Sequence, residues 1–392
     1  MDRRTREYLR GRFGDYYRGV RLPLPPAADT REWGHIPFTA GGTTMVRHRS
    51  LLEIGDLGDF LGREPPRHVY FSAARYDDPG ARPMDEKGWR GADLVFDLDA
   101  DHLPAVDPET SSYAGRLTAC KDALVRLLDL LEADFGFGPD DLQVTFSGGR
   151  GYHVHVRTPD VRGLSSGSRR EVVDYVRAVD LDFDGLVTTR SVDGTTRRVL
   201  RTDGGWGRRV HRRLVAVADD LRGMERDDAL ARLQELEGIG EARAGTILNA
   251  VERNPRAVED GNLEAGGPGM RALVESLAHE VVAAETVAVD EPVTTDVNRL
   301  IRLPGSLHGE TGLVVRPIER DAVEAFDPFV DAVPDRFAGR EIRIEVTDPG
   351  EEPVVVGGGS FTPTAGVHSV REPVGVFLMG RGRARKVSEG PE

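Results

Sequence analysis

The chain is nearly devoid of lysine. Its 392 residues hold three, Lys87, Lys121 and Lys386, so arginine supplies almost all of the 52 basic residues that face 66 Asp and Glu, for a net charge of −14. A single cysteine, Cys120, excludes a disulfide framework and any Cys-rich zinc finger. No apolar run approaches the roughly 18–20 residues that span a bilayer. The opening MDRRTREYLRGRFGDYY has no apolar core of the kind a secretory signal carries. The expectation is therefore a soluble, cytoplasmic protein with no membrane partner. Adding glycine to the 39% hydrophobic share and dropping tyrosine gives about 49% apolar, ordinary for a globular protein, which excludes disorder for the bulk of the chain. The length allows one large domain or two to three small ones.

Taken alone, the acid excess argues against a nucleic-acid partner, which usually leaves a basic footprint. The missing lysine suggests another account. Abundant Asp and Glu with almost no lysine suits a protein working in molar salt, where the Debye length is about 3 Å and acidic surfaces repel little. On that account the net charge reports the solvent rather than the partner. The competing account is an ordinary acidic protein with arginine-rich codon usage.

Strand and helix signals interleave, which gives an α/β (α+β) class with mixed sheets flanked by helices. Residues 1–20 read as a surface helix ending near Gly19. Residues 31–38 and 43–54 read as strands around a turn at Gly41 and Gly42, and 68–76 and 92–102 as further strands. Leu117, Cys120, Leu124, Leu127, Leu128 and Leu131 recur at helical spacing through 113–135. LQVTFS (142–147) and GYHVHVR (151–157) read as two strands around a glycine turn. Strand signals return at 286–316, and 341–347 reads as the last core strand. The expected organisation is a discontinuous core, 1–167 with 286–347, a largely helical insertion at 168–285, and a linker with a flexible tail at 348–392.

Three constellations carry chemistry. Asp97 and Asp99 end an apolar strand, LVFDLD. Residues i and i+2 share a strand face, so both carboxylates project together while Phe96 and Leu98 face the core. Two such carboxylates repel unless a proton or cation lies between them, and hard oxygen pairs suit Mg²⁺ or Mn²⁺. A solvated strand end in an acid-rich protein also explains the pattern. Ser147-Gly148-Gly149-Arg150-Gly151-Tyr152-His153 places three glycines around an arginine between two strands. Such a turn permits close backbone approach and an anion nest, with Ser147 and Arg150 as added donors. An exposed Gly-rich hairpin is the bland alternative. In DEPVTTDVNRLIRLPGSLHG (290–309), Arg299 and Arg302 flank an apolar pair, and the Pro304-Gly305 turn is expected to present Ser306 and His308. A cation and an imidazole beside a turn suit a triphosphate; a strand with surface arginines fits as well.

Jointly these features are far more specific. A carboxylate pair, SGGRGYH some 50 residues on, and a distant aspartate with RLPGSLHG resemble the small catalytic subunit of archaeal and eukaryotic DNA primase. The resemblance runs from about Arg31 to Pro317 and includes REW and YFSAARY; SGGRGYH and LIRLPGSLHG are the archaeal, here haloarchaeal-type, signature. It implies a primase catalytic core in which Asp97, Asp99 and Asp290 are catalytic and hold two divalent ions, Mg²⁺ or Mn²⁺. Asp290, not Asp296, is implied because the family's third aspartate lies eighteen residues before the histidine matched by His308. Ser147, Arg150, His153, Arg302 and His308 match nucleotide-binding positions, and Arg47 is a weaker match. The resemblance further implies a DNA primase, a DNA-directed nucleotidyltransferase that makes short RNA primers for replication and polymerises dNTPs. Its partners would be a primase large subunit in a heterodimer, a single-stranded DNA template, NTPs and dNTPs. Family members commonly carry a structural zinc site; only His102 and Cys120 are available here, short of the four ligands a closed site needs, so no zinc is expected. A repair or damage-bypass polymerase of the same superfamily, a catalytically decayed nucleic-acid-binding module and a metal-dependent phosphohydrolase are the alternatives. One more segment, LQELEGIGEARAGTIL (233–248), resembles a helix-hairpin-helix turn, which offers N–H groups to a DNA phosphate. Glu235, Glu237 and Glu241 crowd it with negative charge and favour a simple bend between packing helices.

The charge balance yields a prediction. In dilute buffer the unscreened acidic surface should unfold the chain and abolish activity, both returning in molar KCl; circular dichroism across a KCl series measures this. Full folding and activity at low salt would refute the high-salt account.

Overall fold

The computed structural model describes residues 1–40, 44–104, 106–107, 110–192 and 195–388. The Gly41–Gly42 turn expected from the sequence lies outside these residues. The architecture is mixed α/β, with small antiparallel sheets and helices. Two compact units are present: Met1–Val125, Gly138–Val173 and Ala288–Glu392 form one, Arg126–Phe137 and Asp174–Val287 the other.

Two four-stranded sheets organise the first unit. One has the order Leu300–Arg302, Pro66–Ser72, Trp33–Pro37, Val46–Arg49; the other Arg316–Ile318, Leu142–Phe146, Gly151–Val156, Leu94–Asp99. Every residue of Gly151–Val156 is buried, so this strand is covered on both faces. Period-2 alternation explains how. Tyr152, Val154 and Val156 point one way. His153 and His155 point the other, where the His155 ring stacks on Phe71 of the first sheet at 6.0 Å. The two sheets thus meet face to face through Phe71, and Trp33 lies beside it.

A buried ionic knot ties these sheets together. The Arg31 side chain has no exposed surface, and neither has that of Asp93, which it grips with two N–H···O bonds of 2.9 and 3.1 Å. Arg31 also donates to the carbonyls of Pro26, Ser72 and Ala73. Asp93 takes a further bond from Arg157 at 2.9 Å, and Arg169 donates to the Ala92 and Asp93 carbonyls. Arg31 precedes a strand of the first sheet and Asp93 a strand of the second, so the knot sets where both strands begin.

Several segments differ from the sequence reading. The strand expected over 43–54 spans Val46–Arg49; Ser50 and Glu53 form a reciprocal capping box that starts a helix, Leu51–Ile54. The strand expected over 68–76 breaks after Ser72, where Ala73 turns to bond Arg299, and resumes as Ala74–Tyr76. Of the strand signals in 286–316, only Leu300–Arg302 and the start of Arg316–Ile318 are strand; Asp290 N-caps a short helix, Glu291–Thr295. The second unit carries a hairpin, Val187–Val192 with Thr195–Leu200, among its helices. In LEGIG, Gly238 takes φ +76 and its carbonyl accepts from Arg243, ahead of helix Glu241–Arg253.

The largest departure is at the C-terminal end. The expected linker and flexible tail form a hairpin (Val354–Val356 with Gly359–Phe361), a strand Gly366–Arg371, a helix Glu372–Gly380 and a strand Ala384–Lys386. Strands Gly366–Arg371 and Ala384–Lys386 both pair with Glu341–Val346, which is the centre of a three-stranded sheet rather than a terminal strand. All nine residues of Glu372–Gly380 are buried, so PVGVFLMG is a core helix. Arginine and glycine on both sides of this run obscured it. Residues 389–392 lie outside the described residues.

The knot gives a stability prediction. Arg31→Met leaves the Asp93 carboxylate buried with less compensation and should lower unfolding stability by about 3–5 kcal/mol, read from denaturant titration in high salt. A change under about 1 kcal/mol would show that Arg157, with Arg75 at 3.7 Å, suffices.

Candidate active site

The second sheet delivers the acidic pair. Asp97 and Asp99 lie on strand Leu94–Asp99 opposite His153 and Gly151, while Phe96 and Leu98 are completely buried beneath. Burial pushes the Asp97 carboxyl up from the ordinary range; Asp99 and Asp290 push in the same direction, against the pull of His153 and Arg302. A carboxylate disfavoured by burial and by two other carboxylates is in a site short of positive charge. Arg150 supplies part of it, lying 3.6 Å from Asp99 and bonding Asp101, while His153, which burial holds below the usual histidine range, brings its Nε2 to 3.3 Å from Asp97. Asp290 donates its backbone N–H to the Asp97 carbonyl at 2.9 Å, which holds it beside the pair.

The glycine turn follows from its hydrogen bonds. The Ser147 N–H donates to Gly151 O, and Ser147 Oγ accepts from the N–H groups of Gly149 and Gly151. With two donors on its oxygen, Ser147 retains its hydroxyl proton to give. Gly148 takes φ +76, and a Cβ there would come within 2.7 Å of His308 Cβ, so only glycine lets the turn close on the imidazole. The turn's carbonyls are anchored from outside: Thr311 Oγ1 donates to Gly148 O and the Tyr113 hydroxyl to Gly149 O, both at 2.5 Å.

His308 is held from the other side. Two aromatics of helix Arg3–Tyr17 grip the Pro-Gly turn, Tyr16 donating to Gly305 O and Tyr17 accepting from Leu307 N–H. Ser306 is not presented to the cavity; it is buried and donates to Leu303 O. His308 Nδ1 accepts from the Glu310 N–H at 3.3 Å, so a neutral ring carries its proton on Nε2, the atom beside Gly149. Burial, then Arg302 and His68, drives His308 well below the usual histidine range.

A cavity of about 600 Å³ gathers these groups: Asp97, Asp99, Ser147, Arg150, His153, Arg302 and His308 all line it. Two expected residues are placed elsewhere. Arg47 is paired with Glu32 and lines an adjoining cavity of about 370 Å³, which shares Asp97, His153 and Arg302 and also holds Asp296. Asp290 lines neither, and reaches the site through Asp97. Sequence reasoning missed Arg67, Glu310, Thr311 and Arg381, which also line the main cavity. Glu310 and Thr311 directly follow the SLHG segment, and that adjacency was the available signal. Cys120 is buried, with its thiol 3.5 Å from Leu98 O. Among the described residues no three His, Cys, Asp or Glu side chains are grouped to hold a metal ion, and no helix is long and apolar enough to cross a membrane.

A family model described as DNA primase small subunit matches residues 96–320, from the acidic strand through His308. The chain belongs to the DNA primase small-subunit family. Proteins named DNA primase small subunit PriS match over nearly its full length. The Halorubrum lacusprofundi protein is 64% identical, with 99% of this chain and 100% of the relative covered. The Haloarcula marismortui protein is 58% identical with the same coverage. The Methanococcoides burtonii protein is 37% identical, covering 98% of this chain and 99% of the relative. The family match thus contains the carboxylate strand, the glycine turn and the histidine, and stops before Arg381.

The buried imidazoles predict an acid sensitivity. His68 lies 4.8 Å from His308 ring to ring, and burial, then Arg302 and Arg67, lower it to about 2. Both rings are neutral when folded, whereas in the unfolded chain histidine titrates near 6.5. The unfolded state therefore binds the proton first. Their contribution is complete above about pH 6.5 and is lost as pH falls below it, at up to roughly 1.4 kcal/mol per pH unit for each ring. His68→Gln should flatten the decline of the denaturation midpoint between pH 6.5 and 5 by about one proton's worth. An unchanged acid slope would mean His68 is protonated in the folded protein.

Proposed function

We propose that this chain is the catalytic small subunit of a DNA primase, a template-directed nucleotidyltransferase that makes short RNA primers and also polymerises dNTPs. The observation that carries this reading is one cavity in which a carboxylate pair faces a glycine turn, four arginines and a neutral imidazole that points Nε2–H inward. That combination suits an ionised polyphosphate on one side and a reacting hydroxyl on the other.

Asp97 and Asp99 would hold divalent metal, with Asp290 adding charge beside them. The donor set fits: hard oxygens on one strand face, with the Asp97 carboxyl pushed up by burial and then by its acidic neighbours. Among the described residues no three such side chains form a ready cage, so much of the coordination would fall to water and substrate phosphates, the usual habit of Mg²⁺. The chemistry that two divalent ions supply in such a site is a lowered pKa for the attacking 3′-hydroxyl and stabilisation of charge on the α-phosphate and the leaving pyrophosphate. The protein's part is positioning. Ser147 gives its hydroxyl proton to a phosphate oxygen, and His308 gives Nε2–H. Arg302, whose guanidinium lies over the Tyr70 ring at 5.7 Å, adds a fixed positive charge. Arg150 exchanges its hold on Asp99 and Asp101 for phosphate, which frees the carboxylate as substrate arrives. Preorganised donors in a site with little water act more strongly than in bulk.

The relatives are named as a DNA primase small subunit, which supports pairing with a large subunit on single-stranded DNA template. The deciding assay is primer synthesis in high KCl, with and without that subunit, comparing NTPs with dNTPs. Asp97→Ala and Asp99→Ala should each reduce nucleotide incorporation at least a thousandfold while leaving the circular dichroism spectrum unchanged. Primer synthesis retained by either variant would overturn the assignment.

A further inference from the structure

The segment expected to be a tail instead folds against the cavity, and it brings an arginine with it. Gly380, Arg381 and Gly382 form part of the cavity lining. Their position is fixed by contact: a Cβ on Gly380 would lie 2.5 Å from Glu310 O, and Gly382 turns the chain at φ +77. Arg381 therefore stands next to the His308–Glu310 segment.

Its guanidinium is held without an acid. The charge lies over the Tyr113 ring at 4.6 Å and the Phe377 ring at 5.5 Å, and among the described residues no carboxylate pairs with it. Arg150 by contrast sits on Asp99 and Asp101, Arg116 on Asp101, and Arg383 near Asp348. Partial burial, then the nearness of Arg116, Arg150 and Arg383, lowers the affinity of Arg381 for its proton, with Tyr113 acting in the opposite sense. A cation kept close to other cations by an aromatic shelf, at the wall of a cavity, is built to meet an anion. The same shelf is tied to the nucleotide turn, since the Tyr113 hydroxyl donates to Gly149 O.

We propose that Arg381 is a phosphate ligand of this cavity and binds the phosphates distal to the reacting one in a bound nucleoside triphosphate. The inference rests on the nucleotidyl-transfer reading. The α-phosphate must lie by Asp97 and Asp99, where the chemistry occurs. The chain beyond it then runs toward His308 and Glu310, the wall that Arg381 occupies. The aromatic shelf positions the guanidinium, so a lysine, which lacks the planar fork, replaces it incompletely.

The test uses the full chain in high KCl with Mn²⁺ and compares a dNTP with the corresponding dNMP, both by direct fluorescence titration. Arg381→Ala should weaken dNTP binding about tenfold or more while dNMP binding changes less than twofold. Arg381→Lys should fall between, and in extension assays the loss should appear in KM more than in kcat. Arg383→Ala, removing a neighbour with its own acid, should leave dNTP binding within twofold. Equal weakening of dNTP and dNMP, or a loss confined to template–primer affinity, would overturn the proposal. Should Arg381→Ala not fold, the dNTP-to-dNMP ratio of Arg381→Gln decides by the same criterion. If the wild-type chain binds dNTP yet incorporates none on any template, the nucleotidyl-transfer reading fails, and the dNTP-to-dNMP comparison still judges Arg381 as a phosphate ligand.

Discussion

The buried Arg31–Asp93 pair is the constraint on which the catalytic unit depends. Desolvating two charges is expensive, and attraction between them offsets this only when the remaining lone pairs and protons are also satisfied. Here they are. Arg31 bonds three carbonyls besides Asp93, and Asp93 takes a second guanidinium from Arg157. Because the partners precede strands of different sheets, the geometry that satisfies the charges also sets how one sheet lies over the other. Four residues after Asp93 comes Asp97, so the register of the acidic pair is measured from the knot. An apolar replacement of similar volume would fill the space with less directional information, and the carboxylates would be placed less sharply.

The site itself is a balance of opposite charges waiting to be rearranged. Asp97 is held at a raised pKa by burial and by its acidic neighbours, while Arg150 and His153 stand in contact with the carboxylates. On the proposed reading, a polyanion would draw the arginine away from the acids and a divalent cation would take its place, so metal and nucleotide would assist each other's entry.

Much of this was legible in the sequence because it is local. Strand alternation put Asp97 and Asp99 on one face, and the glycine turn between Phe146 and Tyr152 sits where SGGRG suggested. The cluster of Asp97, Asp99, Ser147, Arg150, His153, Arg302 and His308 around one cavity agrees with the grouping that the motifs implied. What was not legible depends on distant contact. Ser306 looked available and is spent on Leu303, while Arg47 is turned toward Glu32. The C-terminal segment misled most. Its arginines and glycines have the composition of a solvated tail, and only its pairing with Glu341–Val346 shows that it belongs to a sheet. No periodicity within 380–388 could announce that pairing.

The scarcity of lysine also has a structural side. Lys87 has no exposed side-chain surface and lies 3.1 Å from Glu32, and Lys386 is buried at the end of the last strand. Lys121 is half-buried and gives its ammonium to the Glu324 and Phe326 carbonyls. The few lysines are thus internal braces, and the outer surface presents guanidinium and carboxylate with almost no primary amine. To amine-directed reagents the folded molecule offers little beyond the exposed Met1 amine and the half-buried Lys121. A single lysine introduced on any exposed helix would therefore be a nearly unique chemical handle, suited to attaching a fluorophore or a surface tether in one known orientation.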